Sequence, residues 1–169
     1  VPDGPGIEDN GTGSATLLET ALQIAELGIE PRNTIRFAWW GAEEAGLVGS
    51  QFYVDSLTKS EAKDIELYLN FDMIGSPNYA RFVYDGDSSA FGLRGPAGTH
   101  GIEEVFEEFF ASQGLASEPT AFDGRSDYDA FITAGIPAGG LFTGAEDNKT
   151  EDQVALYGGL ATFDGEVVA

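Results

Sequence analysis

Cysteine is absent from the 169 residues, which excludes a disulfide framework or a thiolate metal site within them and leaves the compartment undecided. Basic residues are scarce: 8 Lys and Arg stand against 29 Asp and Glu, a formal charge of −21. A polyanion of this kind repels phosphate groups, so nucleic acid and anionic membrane surfaces are poor partners. No apolar run approaches the ~18 residues of a membrane span, and no signal-peptide pattern opens the chain. Histidine occurs once, at position 100. Repeats and low-complexity tracts are also missing, and the 23 glycines fall between periodic segments rather than in a linker. The acidic excess reads first as a solvated, self-repelling surface, of which a cation site would use only a few carboxylates.

What is present suffices for one core: 42% of residues are hydrophobic and 12% aromatic, at a length typical of a single domain. After the turn Asp9-Asn10-Gly11-Thr12-Gly13-Ser14, the spacing of Leu18, Ala21, Leu22 and Ala25 predicts a helix that Gly28 ends. Thr34 to Trp40 is β-branched and aromatic and reads as a strand, followed at once by Glu43-Glu44. A short helix is expected over 50–57 and strands over 65–71, 81–84 and 136–142. Residues 101–113 form an acidic amphipathic helix with Val105, Phe106, Phe109 and Phe110 expected inward. Ser126 is placed to cap a helix running to Ala134, and a last helix is expected over 152–163. Strands alternating with helices predict an α/β fold with a largely parallel central sheet flanked by helices. Val1-Pro2-Asp3-Gly4-Pro5-Gly6 opens on a loop, and residues 163–169 stop where a new element could begin. Both ends are therefore expected to be cut from a longer polypeptide, leaving 1–169 as the incomplete core of one domain.

In open α/β sheets, ligands bind beyond the carboxyl ends of the strands. Four acids fall at such positions: Asp9 at the turn entering the first helix, Glu43 and Glu44 after one strand, and Asp72 after another. Each has an ordinary reading. Asp9 suits a turn or helix cap, and adjacent glutamates suit a solvated loop; Asp72, ending a hydrophobic strand, needs a partner. If the strands are neighbours, the four converge and repel, unless some are protonated or a cation lies among them. Two divalent ions ~3.5–4 Å apart, bridged by a carboxylate, would account for four acids.

The surrounding motifs are Asp9-Asn10-Gly11-Thr12-Gly13-Ser14, Arg36-Phe37-Ala38-Trp39-Trp40-Gly41-Ala42-Glu43-Glu44, Gly46-Leu47-Val48-Gly49-Ser50, Asn70-Phe71-Asp72-Met73-Ile74-Gly75 and Gly124-Arg125-Ser126-Asp127-Tyr128. In this order they closely resemble the secreted bacterial co-catalytic di-zinc aminopeptidases of the leucyl aminopeptidase and aminopeptidase Y type, over nearly the whole chain. The resemblance implies a zinc-exopeptidase fold of the phosphorylase/hydrolase-like kind, two zinc ions, a secreted setting and peptide substrates with a free amino terminus. It implies Asp9 as the carboxylate bridging both ions, Glu44 as the ligand of one, Asp72 as the ligand of the other, and Glu43 as the general base. The Glu43 and Asp72 side chains would also receive the substrate's amine. Arg125 would line the site, and Phe142 would wall a pocket for large apolar first residues; read structurally, Arg125 could pair with Asp127 or Asp129 and Phe142 could be core. A cis peptide bond is implied after Asp9. One histidine per ion is implied too, the first in a His-x-Asp motif ahead of Val1 and the second in a loop beyond Ala169.

The resemblance places no ligand at His100, which reads as a surface or helix-capping residue. Carboxylates without imidazole suit calcium or magnesium better than zinc, so this stretch alone is expected to bind zinc weakly, and a structural calcium is left open. Two other readings are weighed: a non-catalytic fragment or degenerate relative kept as a folded domain, and a glutaminyl-cyclase-like transferase with a single zinc on the same fold, which the stretches Asp9-Asn10-Gly11-Thr12-Gly13 and Gly41-Ala42-Glu43-Glu44 suit less well than the peptidase.

Overall fold

The computed structural model describes residues 4–92, 95–145 and 148–160. Its frame is a four-stranded sheet of β1 (Tyr68–Phe71), β2 (Phe82–Tyr84), β3 (Glu118–Thr120) and β4 (Ala138–Phe142), in the order β1-β4-β2-β3. β1 runs parallel to β4, with Asn70 opposite Gly140, and β2 runs parallel to β3; β2 and β4 are antiparallel. The sheet is thus mixed but mostly parallel.

Six α-helices accompany it among the described residues: α1 (Gly13–Glu26), α2 (Val48–Ser56), α3 (Lys59–Lys63), α4 (Thr99–Ser112), α5 (Tyr128–Thr133) and α6 (Glu151–Tyr157). No helix in this set is long and apolar enough to cross a membrane. α3 was not expected from periodicity. Its start is written in a capping box, with Thr58 and Glu61 each satisfying the other's backbone N–H. Thr150 and Gln153 start α6 in the same way. α6 stops at Tyr157, before the left-handed Gly158, so 158–160 are not helical; the remainder of the expected helix lies outside the described residues.

Two clusters fill the core. Val54, Ala130, Phe131 and Ile136 pack with Trp40 and Tyr53, while Tyr84, Tyr128 and Ala138 pack with Phe122. Tyr68 touches both clusters and stacks on Phe131 with centroids 3.9 Å apart and rings 3° from parallel. Tyr84, Phe122 and Tyr128 form an aromatic trio with centroid separations of 4.8–5.0 Å. These rings support the sheet's carboxyl end, where Asp72 leaves β1.

Three expectations need correction. Thr34–Trp40 belongs to no strand of the described sheet, because a strand exists only where another takes its N–H and C=O groups, which residue propensity does not supply. On α4, Val105 and Phe109 face outward, 65% and 57% exposed; the buried stripe is Thr99, Ile102 and Glu103, continued by half-buried Phe106 and Phe110. One residue's difference on a helix is a turn of about 100°, enough to move a ring from core to solvent. Ser126 does not cap α5, whose N-cap is Asp127; its hydroxyl is committed elsewhere, as follows.

Candidate active site

Asn10 ties three segments together. Its Nδ2 donates to the Phe71 carbonyl (3.0 Å), while its Oδ1 accepts from the Gly13 N–H (2.9 Å) and the Met73 N–H (3.2 Å). The turn bearing Asp9 is thereby fastened to the end of β1 that bears Asp72. The Asp9–Asn10 peptide bond is cis.

Asp72 is oriented from beneath. The Ser126 hydroxyl donates to Asp72 Oδ2 at 2.6 Å and accepts from Asn70 Nδ2 at 2.9 Å. Asn70 Oδ1 accepts from the Tyr68 hydroxyl at 3.1 Å, which accepts from the Trp40 indole N–H at 3.0 Å. Every bond donates toward Asp72, so the chain polarises in favour of its carboxylate. Glu43 and Glu44 sit on a tight turn, Glu43–Ala45, closed by Gly46 N–H and Leu47 N–H bonds to the Glu43 carbonyl at 2.9 and 2.7 Å.

Non-glycine residues with positive φ flank these acids: Ala42 (60°) before Glu43, Leu47 (58°) after the turn, and Met73 (50°) after Asp72. Such conformations cost about 1–3 kcal/mol each and persist where surrounding structure over-determines them.

Asp9, Glu43, Glu44, Asp72, Arg125 and Phe142 all line one hollow, with Tyr84, Thr120 and Ser126 among its other walls. Phe142 also stacks on Phe82, centroids 6.0 Å apart. Burial, a hydrogen bond with Glu44 and the charges of Asp72 and Glu44 push the Asp9 carboxyl up to about 6. Burial and the charges of Asp72, Asp127, Glu44 and Asp9 push Glu43 up to about 7. Asp72 is raised by burial, against the Ser126 hydrogen bond. Acids that retain protons this far above their ordinary range form a site that favours positive charge.

The donors fit divalent cations, with a qualification about which. All are oxygens, and none of the described side chains in the hollow is an imidazole. The oxygens of Asp9, Glu44 and Asp72 are spread wider than a single ion's shell: among the described residues, the one trio of ligating side chains with donors all within 4.8 Å of each other is Asp87, His100 and Glu103, elsewhere in the fold. As they stand, the three carboxylates do not all reach one ion.

The raised pKa values have a consequence for stability. Unfolded carboxyls titrate near 4. A folded pKa above the unfolded one contributes stability that is complete below about pH 4 and lost as pH rises through about 6 and 7, the Asp9 and Glu43 values. In chelator, the chain should therefore unfold at higher urea concentration at pH 5 than at pH 8. The overall charge acts in the same direction, so the site's share is read from Glu43→Gln, which should flatten part of the slope. An equal or higher midpoint at pH 8 would refute this.

Comparison with known proteins agrees with the geometry. A family model described as peptidase family M28 matches residues 1–156. The chain is 58% identical over 161 residues to leucine aminopeptidase 2 of Trichophyton equinum, covering 95% of this chain and 32% of that protein. It is also 58% identical to an aminopeptidase of Pseudomonas aeruginosa, covering 95% of this chain and 30% of the relative. Among solved structures, a zinc aminopeptidase from Bacillus subtilis superposes with TM-score 0.72 at 28% identity, over 92% of this chain and 38% of that one. The aminopeptidase from Aneurinibacillus gives 0.70 at 27%, over 85% and 32%. The chain thus spans about a third of the length of the curated relatives it matches. Similarity extends to fungal proteins and is not confined to the bacterial ones the motifs suggested.

Proposed function

Because the chain belongs to peptidase family M28, we propose that it forms the catalytic core of a zinc-dependent aminopeptidase that releases large apolar residues from the free amino terminus of peptides. The observation that carries this reading is the convergence of Asp9, Glu43, Glu44 and Asp72, from three separate segments, on one hollow that also holds Arg125 and Phe142.

Asp9 would bridge two zinc ions, with Glu44 holding one and Asp72 the other. When bound, zinc supplies Lewis acidity toward the peptide carbonyl and lowers the pKa of water. Glu43 accepts the proton of the attacking water on its carboxylate and passes it to the departing amine. Asp72 and Glu43 face the substrate's ammonium group, a charge-assisted contact that a blocked or internal nitrogen does not offer. Phe142 gives the first side chain an apolar wall, and Arg125 borders the opening. Three oxygen ligands without imidazole hold zinc poorly, so activity is assigned to a protein of the relatives' length that contains this chain, the longer protein of the tests below. The same reading carries a secreted setting.

The test compares hydrolysis of leucine 4-nitroanilide with its N-acetyl derivative by the longer protein. Acetylation should lower the rate at least about 100-fold, because the site's anionic partners are left unpaired, and a chelator should abolish turnover. Equal rates on both substrates would overturn the exopeptidase assignment.

A further inference from the structure

The lone histidine lies in a second group of ionisable side chains that shares no wall with the Asp9 hollow. After β2, the Asp85 carboxylate accepts backbone N–H bonds from Ser89 (3.0 Å), Ala90 (3.3 Å) and Phe91 (2.8 Å), which curls residues 85–91 into a tight loop. Asp87 in this loop meets the first turn of α4. There His100 and Glu103 stand three residues apart, hence on one face. The ligating atoms of Asp87, His100 and Glu103 all lie within 4.8 Å of one another. Glu103 is only 5% exposed, and its Oε2 accepts the Asp87 N–H at 2.8 Å, which holds the carboxylate under the loop.

The start of α4 beside this trio is closely packed. Thr99 is 1% exposed, and its hydroxyl has no hydrogen-bond partner among the described residues. It abuts Gly95, which walls the same hollow as Asp87 and His100. A Cβ at position 95 would stand 2.7 Å from Thr99 Oγ1 and 2.8 Å from its Cγ2, so glycine is required for the close approach of these two residues beside the hollow.

We propose that Asp87, His100 and Glu103 bind one divalent transition cation, for which zinc is the best fit, and that the ion fastens the loop after β2 to the start of α4. One imidazole with two carboxylates is a nitrogen–oxygen set suited to zinc, in contrast to the all-oxygen Asp9 cluster. Zinc–ligand bonds of about 2.0–2.2 Å require the donors to draw slightly closer, which rotation of the exposed Asp87 and His100 side chains allows. The expectation that this stretch binds zinc only weakly therefore does not extend to this site. The resemblance gave His100 no role; the signal available in the sequence was its i, i+3 pairing with Glu103.

His100 is the only histidine of the 169 residues, so its imidazole resonances report this site alone. Zinc chloride titrated into the isotopically labelled chain should shift them saturably, with a midpoint in the micromolar range. Asp87→Asn and Glu103→Gln should each raise that midpoint at least about tenfold. Asp87 is exposed, so its variant carries the test even if the buried Glu103→Gln fails to fold. Imidazole signals unmoved by millimolar zinc would overturn the proposal. So would an unchanged midpoint in the variants, the behaviour of an isolated surface histidine.

Discussion

Replacing Glu43 by Gln in the longer protein should leave zinc content nearly unchanged while lowering turnover at least about 100-fold, because an amide does not accept the water's proton. The neighbouring change Glu44→Gln should do the opposite at the metal and strip zinc, since the carboxylate's charge offsets the ion's. The two residues are adjacent on one tight turn, so their side chains leave the backbone in different directions. The assignment of base to Glu43 and ligand to Glu44 rests on family resemblance rather than on spacing. Zinc measured by atomic absorption alongside hydrolysis of leucine 4-nitroanilide separates the roles. If Glu43→Gln loses zinc while Glu44→Gln keeps it and loses only turnover, the roles are reversed.

The largest structural effect is expected from a single methyl group. Gly13 begins α1, buried, with ordinary helical torsions (φ −63°), so its need for glycine is spatial. A Cβ there would lie 2.1 Å from the Phe71 carbonyl oxygen and 2.5 Å from Asn10 Oδ1. The first is backbone and does not yield; the second belongs to the side chain that ties Asp9 to the end of β1. Gly13→Ala should therefore cost about 3 kcal/mol or more, a fall of roughly 6–12 °C in Tm. It should also lower turnover of the longer protein by about 100-fold through misplacement of Asp9. Gly28→Ala is the control: with φ +62° and open space around it, it carries only the left-handed penalty of about 1 kcal/mol. Equal effects at the two positions would show that the contact between α1 and β1 does not support the site.

Much of this arrangement was legible in residue order. β1, β2 and β4 fall inside the expected strands, because alternating or buried apolar runs bounded by turns describe a central sheet well. Asp72 stood out because a carboxylate at the end of a buried strand demands a partner; Glu43 and Glu44 follow no strand. Other features depend on what each segment meets. β3 contains Pro119, which argues against a strand, yet β3 is the outer strand of the sheet, where a missing N–H is tolerated. Ser126 stands in a capping position by sequence, but Asn70 and Asp72 compete for its hydroxyl from β1, a contact 54 to 56 residues distant. The outward turn of Val105 and Phe109 depends on α4's angle against β4, a rotation that periodicity leaves undefined. His100 looked inert because its second carboxylate partner, Asp87, comes from another loop.

The most direct test of the dinuclear aminopeptidase account is anomalous X-ray scattering at the zinc edge from crystals of the longer protein. Two peaks should appear in the hollow lined by Asp9, Glu43, Glu44 and Asp72, separated by ~3.5–4 Å, with the Asp9 carboxylate in contact with both, Glu44 with one and Asp72 with the other. A single peak there, as a mononuclear transferase would give, or no peak in contact with Asp9, would contradict it.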